Sequence, residues 1–135
     1  MLKLGNSLGM SLRSGEKFIT EARMYHKMDR NYKIVGINLP IMICEYQKDG
    51  YTKNIKEIFS KNPKGYYEYF REILQMPMKG ISFAKRLYIY KHYILFSVLT
   101  KKKHAITRIK RFSDKLWIIL LWIPGKIKTK NYFRK

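Results

Sequence analysis

The sequence predicts an α+β fold that is mostly α: one helix, a small two-stranded element, then about four helices, the last two basic and amphipathic. Three observations carry that expectation. Apolar residues recur at helical spacing from Phe18 onward. Two short β-rich runs follow, divided by a proline. The second half then alternates long apolar and aromatic stretches with Pro and Gly breaks. At 135 residues the chain is long enough for one ordinary domain and too short for two well-packed ones.

Residues 1–14 are rich in Gly, Ser and Leu without a period and read as irregular. Phe18, Ala22, Tyr25, Met28 and Tyr32 share a helical spacing, which predicts an amphipathic helix from about Thr20 to Arg30. Thr20 is placed to cap it, and Glu21 falls in the first turn, where the helix dipole favours an anion. The β-rich runs are Tyr32–Asn38 and Pro40–Tyr46, with Asn38-Leu39-Pro40 between them. Thr52 opens a short helix to about Ser60. Asn62-Pro63 reads as N-cap and first residue of a longer one, which Pro77 and Gly80 end. Ile81–Lys102 and Ile106–Ile123 complete the helices, the second stopped by Pro124-Gly125.

The formal net charge of +20 implies an anionic partner, and its distribution narrows the choice. Residues 1–50 carry a net +3, residues 51–78 a net +2, and residues 79–135 a net +15. The basic part is also where large apolar side chains thicken, a combination suited to an anionic membrane surface. Its longest uncharged run, Leu116–Gly125, is ten residues and too short to span a bilayer. Trp117 and Trp122 lie within it and Lys115 and Lys126 flank it, the expected membrane-surface residues of a segment lying in the interface. The basic, aromatic stretch with Tyr88, Tyr90 and Tyr93 among Lys85, Arg86, Lys91 and His92 satisfies only loosely what nucleic-acid binding asks. No zinc spacing or reading helix accompanies it, and the charge pattern argues against nucleic acid as the partner.

Other chemistries find little footing. The lone Cys44 has no internal partner and sits in an apolar run, so a small core residue in a reducing compartment is expected. That single cysteine fits a cytoplasmic location, and the N-terminus, without a basic region followed by a long apolar core, is not expected to be a secretory signal. His26, His92 and His104 form no ligand pair, and Gly5 and Gly9 lack the strand and lysine of a phosphate loop. What remains is a set of carboxylates at element ends: Glu16, Glu21, Glu45 and Asp49. Capping and solvation would account for all of them, with Asp49-Gly50 forming a turn.

A resemblance gives these carboxylates another meaning. Gly15-Glu16-Lys17-Phe18-Ile19-Thr20-Glu21, then Asn31-Tyr32-Lys33, then Glu45-Tyr46-Gln47-Lys48-Asp49-Gly50-Tyr51-Thr52-Lys53-Asn54, resembles the acceptor-side half of bacterial family 2 glycosyltransferases in order and spacing. The likeness runs on into Lys61-Asn62-Pro63-Lys64-Gly65-Tyr66. It covers residues 15–78 well and 79–135 loosely, so the expected divisions are 1–14, 15–78 and a basic tail at 79–135. It implies part of a GT-A fold and an inverting transfer from a nucleotide-sugar donor to a glycan or lipid-linked acceptor, in capsule, exopolysaccharide or cell-wall glycan assembly. A carboxylate beside an acceptor-side helix would take the acceptor's proton: Glu21 first, Glu16 second. Glu45, Gln47, Asp49 and Gly50 would line the donor and acceptor site.

The family's nucleotide-sugar half, with an Asp-x-Asp element holding Mg²⁺ or Mn²⁺, is not in this sequence. Asp29, Asp49 and Asp114 are its only aspartates. No cofactor is therefore expected on this chain, and Mg²⁺ or Mn²⁺ only with the donor domain. The expectation is that the isolated chain has no transferase activity. It would be a truncated or split enzyme, with a separate chain as a candidate for the other half, peripheral on the inner face of the cell membrane. The alternative is a non-enzymatic basic protein that binds membrane or nucleic acid.

Overall fold

The structure is a computed structural model, and it describes residues 15–17, 20–29, 31–33, 35–45, 50 and 53–132. Five helices are described: α1 (Glu21–Met28), α2 (Ile55–Lys61), α3 (Pro63–Gln75), α4 (Phe83–Leu99) and α5 (Phe112–Tyr132). The mostly helical expectation stands. The two-stranded element does not: residues 31–33 and 35–45 form no ladder, and no strand occurs among the described residues. A period of two favours extended backbone, but a strand also needs an edge to pair with and a face to bury. Cys44, expected in the core, is exposed on this same segment.

The core forms where α3 meets α4, and α5 closes over α4. It is largely aromatic. Phe59, Tyr66, Phe70 and Phe96 interlock, with Tyr66 stacked on Phe96 at 5.1 Å and Phe59 edge-on to Tyr66 at 4.6 Å. Tyr67 stacks on Tyr93 at 5.6 Å, both fully buried. Offset and edge-on pairs of this kind add about 0.5–1.5 kcal/mol each beyond the area they bury. Tyr90 and Tyr93, weighed above as part of a nucleic-acid surface, are thus interior residues. The core runs continuously from Phe59 to Ile118, across residue 78.

Two buried tyrosine hydroxyls are spent on connections. Tyr93 donates to the Ala105 carbonyl at 2.7 Å, holding the turn region that follows α4. Tyr90 donates to Asp114 Oδ1 at 2.7 Å, while Arg111 Nε donates to Oδ2 at 2.8 Å. Burial, and then the adjoining Asp114 carboxylate, push the Tyr90 hydroxyl up to about 12. Arg111 also reaches the Leu74 carbonyl at 3.1 Å, so one arginine joins the last turn of α3 to the first turn of α5.

Pro124 does not stop α5, which runs through it to Tyr132. Proline withholds one N–H and crowds the preceding turn. Leu120, whose carbonyl loses that partner, is exposed, so burial adds no further penalty. Gly125 then permits a close approach, because a Cβ there would lie 2.7 Å from Ile94 Cγ2. The β-branched Ile94 has little rotamer freedom with which to withdraw.

Two outcomes follow from this packing. Gly125→Ala should lose about 1–3 kcal/mol in a denaturant titration, whereas Gly36→Ala, with nothing near its Cβ position, should stay within about 0.5 kcal/mol of wild type. His92 supplies a pH dependence. Its ring stacks on Phe70 at 5.2 Å, and Nδ1 lies 2.9 Å from the Tyr88 carbonyl oxygen. Burial holds the imidazole below its ordinary value against the raising effect of that carbonyl, and the Lys91 charge adds to the lowering. The unfolded chain therefore binds a proton that the folded chain refuses. Stability should begin to fall as pH drops below about 6.5 and continue to fall through the folded value. His92→Phe should remove that part of the slope in melts run between neutral pH and about pH 5.

Candidate functional site

The segment before α1 and the start of α3 are clasped together. Asn62 holds the N-cap position of α3, but its side chain makes no capping bond there. Its Nδ2 donates instead to the Ile58 carbonyl at 2.9 Å, and its Oδ1 accepts from the Lys17 N–H at 2.9 Å. The cap comes from far away in sequence. Glu16 Oε1 accepts from Lys64 N at 2.5 Å and Oε2 from Gly65 N at 2.8 Å, so one buried carboxylate satisfies two of the N–H groups that open α3. Negative charge at a helix N-terminus and charge-assisted hydrogen bonds act in the same direction here.

A second tie seats α1 on the other end of α3. Arg23 is the most buried residue of α1, and its Nε and Nη2 donate to Glu72 Oε2 and Oε1 at 2.9 and 2.7 Å. The Glu72 hydrogen bond holds the Arg23 guanidinium in its charged form against the cost of burial. Burial raises Glu72, but the bond and charge of Arg23 outweigh it and hold the carboxyl below the usual range. His26 adds a stacked contact with Tyr69 at 5.8 Å. α1 therefore presents Arg23, and not the apolar Tyr25 (49% exposed), as its anchor. Helical spacing located this helix but could not show that its inward residue was an arginine whose partner lies 49 positions away.

These ties decide what each candidate carboxylate can do. Glu21 stands in the first turn of α1, exposed, two residues before the Arg23 anchor. Its backbone is thereby held while its side chain faces solvent. Glu16 has both oxygens engaged by backbone N–H groups and acts as a helix cap. Glu45 is exposed on the extended segment and Gly50 is partly buried near the start of α2. Gln47 and Asp49 lie outside the described residues.

A divalent cation does not fit the residues described. No group of three or more His, Cys, Asp or Glu that could hold one occurs among them. Asp114 is buried with both oxygens engaged by Tyr90 and Arg111.

The basic end carries the second candidate surface. No described helix is long and apolar enough to cross a membrane. On α5, Asp114, Ile118 and Thr129 face inward, whereas Phe112, Leu116, Ile119, Leu120, Ile123 and Ile127 lie on an outer face, 48–80% exposed. Trp117 is 40% exposed and packs edge-on against Phe83 at 5.2 Å. Trp122 is half-buried and borders two hollows with the exposed Lys126. Lys115 is half-buried at the first turn. The expected amphipathic character of α5 is thus arranged along the helix, lysines toward the ends and apolar residues between, more than around it.

No family model, no curated protein and no solved structure matches this chain.

Glu16→Ala should cost about 2 kcal/mol, the sum of a lost cap and two buried N–H groups left without an acceptor. Amide hydrogen exchange offers the local check. Protection in the first turn of α3 should fall well before protection in α4 does.

Proposed function

We propose that the chain is the acceptor-side part of a membrane-associated family 2 glycosyltransferase whose nucleotide-sugar-binding part lies in polypeptide outside these residues, on this chain or a separate one. The observation that carries the reading is the segment from Val35 to Glu45. Val35, Ile37, Leu39, Ile41, Met42 and Ile43 are 66–98% exposed on a stretch that is neither helix nor strand and bends at Leu39, so the described helices leave this apolar run uncovered. Pairing with a sheet would bury such an apolar run, and the donor-binding half of a GT-A fold is built around one. Support also comes from the clasp, in which the two stretches Gly15-Glu16-Lys17 and Asn62-Pro63-Lys64-Gly65, both part of the family resemblance, bond directly to each other.

On this reading, Glu21 accepts the proton of the acceptor hydroxyl as its oxygen forms a bond to the anomeric carbon. The bond from that carbon to the nucleoside diphosphate breaks on the opposite face, and configuration inverts. Glu45, Gln47, Asp49 and Gly50 line the joint donor and acceptor site. A divalent cation that neutralises the leaving diphosphate belongs to the donor-binding part. The exposed face of α5 and the lysines around it hold the enzyme against an anionic membrane, on its cytoplasmic side, near a lipid-linked or growing glycan acceptor.

A non-enzymatic basic binding protein is the second reading, favoured by the same α5 face and its lysines. The two readings separate on the complete enzyme, reconstituted with its donor-binding part. There Glu21→Gln should abolish sugar transfer while nucleotide-sugar binding is retained. Turnover that survives the substitution removes Glu21 from the role of base. If no donor-binding polypeptide is encoded beside this one, and none restores transfer, the enzymatic reading falls and the binding protein remains.

A further inference from the structure

Helix α4 ends in a turn that carries lysines where smaller residues are usual. The Lys101 N–H bonds the Val98 carbonyl at 3.1 Å and the Lys102 N–H bonds the Ser97 carbonyl at 3.0 Å, the paired bonds of a Schellman ending. Lys101 occupies its left-handed position at φ 52°, which normally falls to glycine or asparagine. Two adjoining hollows open beside this turn. The first, about 340 Å³, is bordered by Lys101, Lys102, Lys103 and Lys126, with Ala105 and Ile106 at its base. The second, about 390 Å³, is bordered by Ile123, Ile127 and Lys130. Val98, Trp122 and Lys126 form walls of both, so the hollows lie side by side, one bordered by four lysines and the other almost wholly apolar.

We propose that this double hollow is a binding site for one anionic phospholipid, its phosphate among Lys101, Lys103 and Lys126 and its acyl chain along Val98, Ile123 and Ile127. Charge complementarity selects the occupant. No acidic residue borders either hollow, and the carbonyls at the end of α4 are already engaged by the turn's own N–H groups. Lys102 is partly held elsewhere, its ammonium lying 5.6 Å from the centre of the Tyr67 ring, which leaves the other three to meet the phosphate. The apolar hollow continues onto the outer face of α5, where Ile123 is 72% and Ile127 is 59% exposed. A soluble phosphate would use only the first hollow, whereas a phospholipid uses both. Trp122 borders both, and an indole at such a boundary suits a bilayer interface. The site rests on the membrane part of the proposed function and gives it a chemical address: a phosphate headgroup recognised at one turn, in place of charge spread over the basic tail.

The test uses the full chain and vesicles of phosphatidylcholine alone or mixed with phosphatidylglycerol in equal parts. Lys101→Gln combined with Lys103→Gln should weaken partitioning onto the mixed vesicles by about twentyfold, following the value of a lysine near an anionic surface. Lys79→Gln with Lys85→Gln removes the same two charges at the opposite end of the 17-residue α4, about 25 Å away along its axis, and should change partitioning only a few-fold. Equal losses in the two pairs would overturn the site and leave diffuse charge in its place. Wild-type chain that binds neither vesicle would sink the membrane reading itself. Ligand source is separated by titrating short-chain phosphatidylglycerol below its micelle concentration against glycerol phosphate and inorganic phosphate. The lipid should bind at least about tenfold more tightly, as burial of a few methylenes requires. Equal affinity for glycerol phosphate would remove the acyl hollow from the proposal.

Discussion

Asp114 is the interaction on which the architecture turns. It is 2% exposed at the start of α5, and its two oxygens accept from Tyr90 of α4 and from Arg111, which also bonds the Leu74 carbonyl in the last turn of α3. A carboxylate this deep is tolerable only when its oxygens are met, and removing one partner of such a buried set is costly. The requirement acts as a locator. α5 can seat on α4 in only one way that places Asp114 under the Tyr90 hydroxyl, and the close approach at Gly125 and Ile94 sets the other end of the same contact. Without that network the three long helices would share only apolar and aromatic surface, which specifies burial better than it specifies register.

Around this centre the described residues show two apolar surfaces that the helices do not cover. One is the run of residues 35–43, the other the outer side of α5. They differ in chemistry. The first belongs to no helix or strand, and its apolar side chains are uncovered. The second is a helix face whose backbone is internally satisfied and whose ends are rich in lysine, so it suits a lipid interface. The clasp at Glu16 and the Arg23–Glu72 pair fasten the α1 segment to the helical body that carries α5.

Much of the helical layout was legible. Thr20 and Glu21 mark the start of α1, Asn62-Pro63 the start of α3, and Pro77 with Gly80 the break before α4. Each is a local signal, decided by which residues can end or begin an intrahelical hydrogen-bond ladder. The failures were of another kind. The run 32–46 has the alternation of a strand, but pairing needs a neighbour that alternation cannot supply. Pro124 looks like a stop, yet helix α5 tolerates it where the orphaned carbonyl's residue is exposed. Glu16 looked like one more carboxylate at an element end, and only its bonds to Lys64 and Gly65 make it the cap of a helix 48 residues away.

By itself, then, the sequence determined the helical character of the chain, most helix starts, the basic and apolar character of the tail and the residues that resemble a sugar-transfer site. These follow from composition and short-range spacing, which the backbone reads over one or two turns. The tertiary structure decided which carboxylate is a cap and which is left exposed, which tyrosines are core, and which lysines share a hollow with Trp122. Those distinctions depend on burial and on hydrogen-bond partners tens of residues apart, and such partners exist only once α3, α4 and α5 have closed on one another.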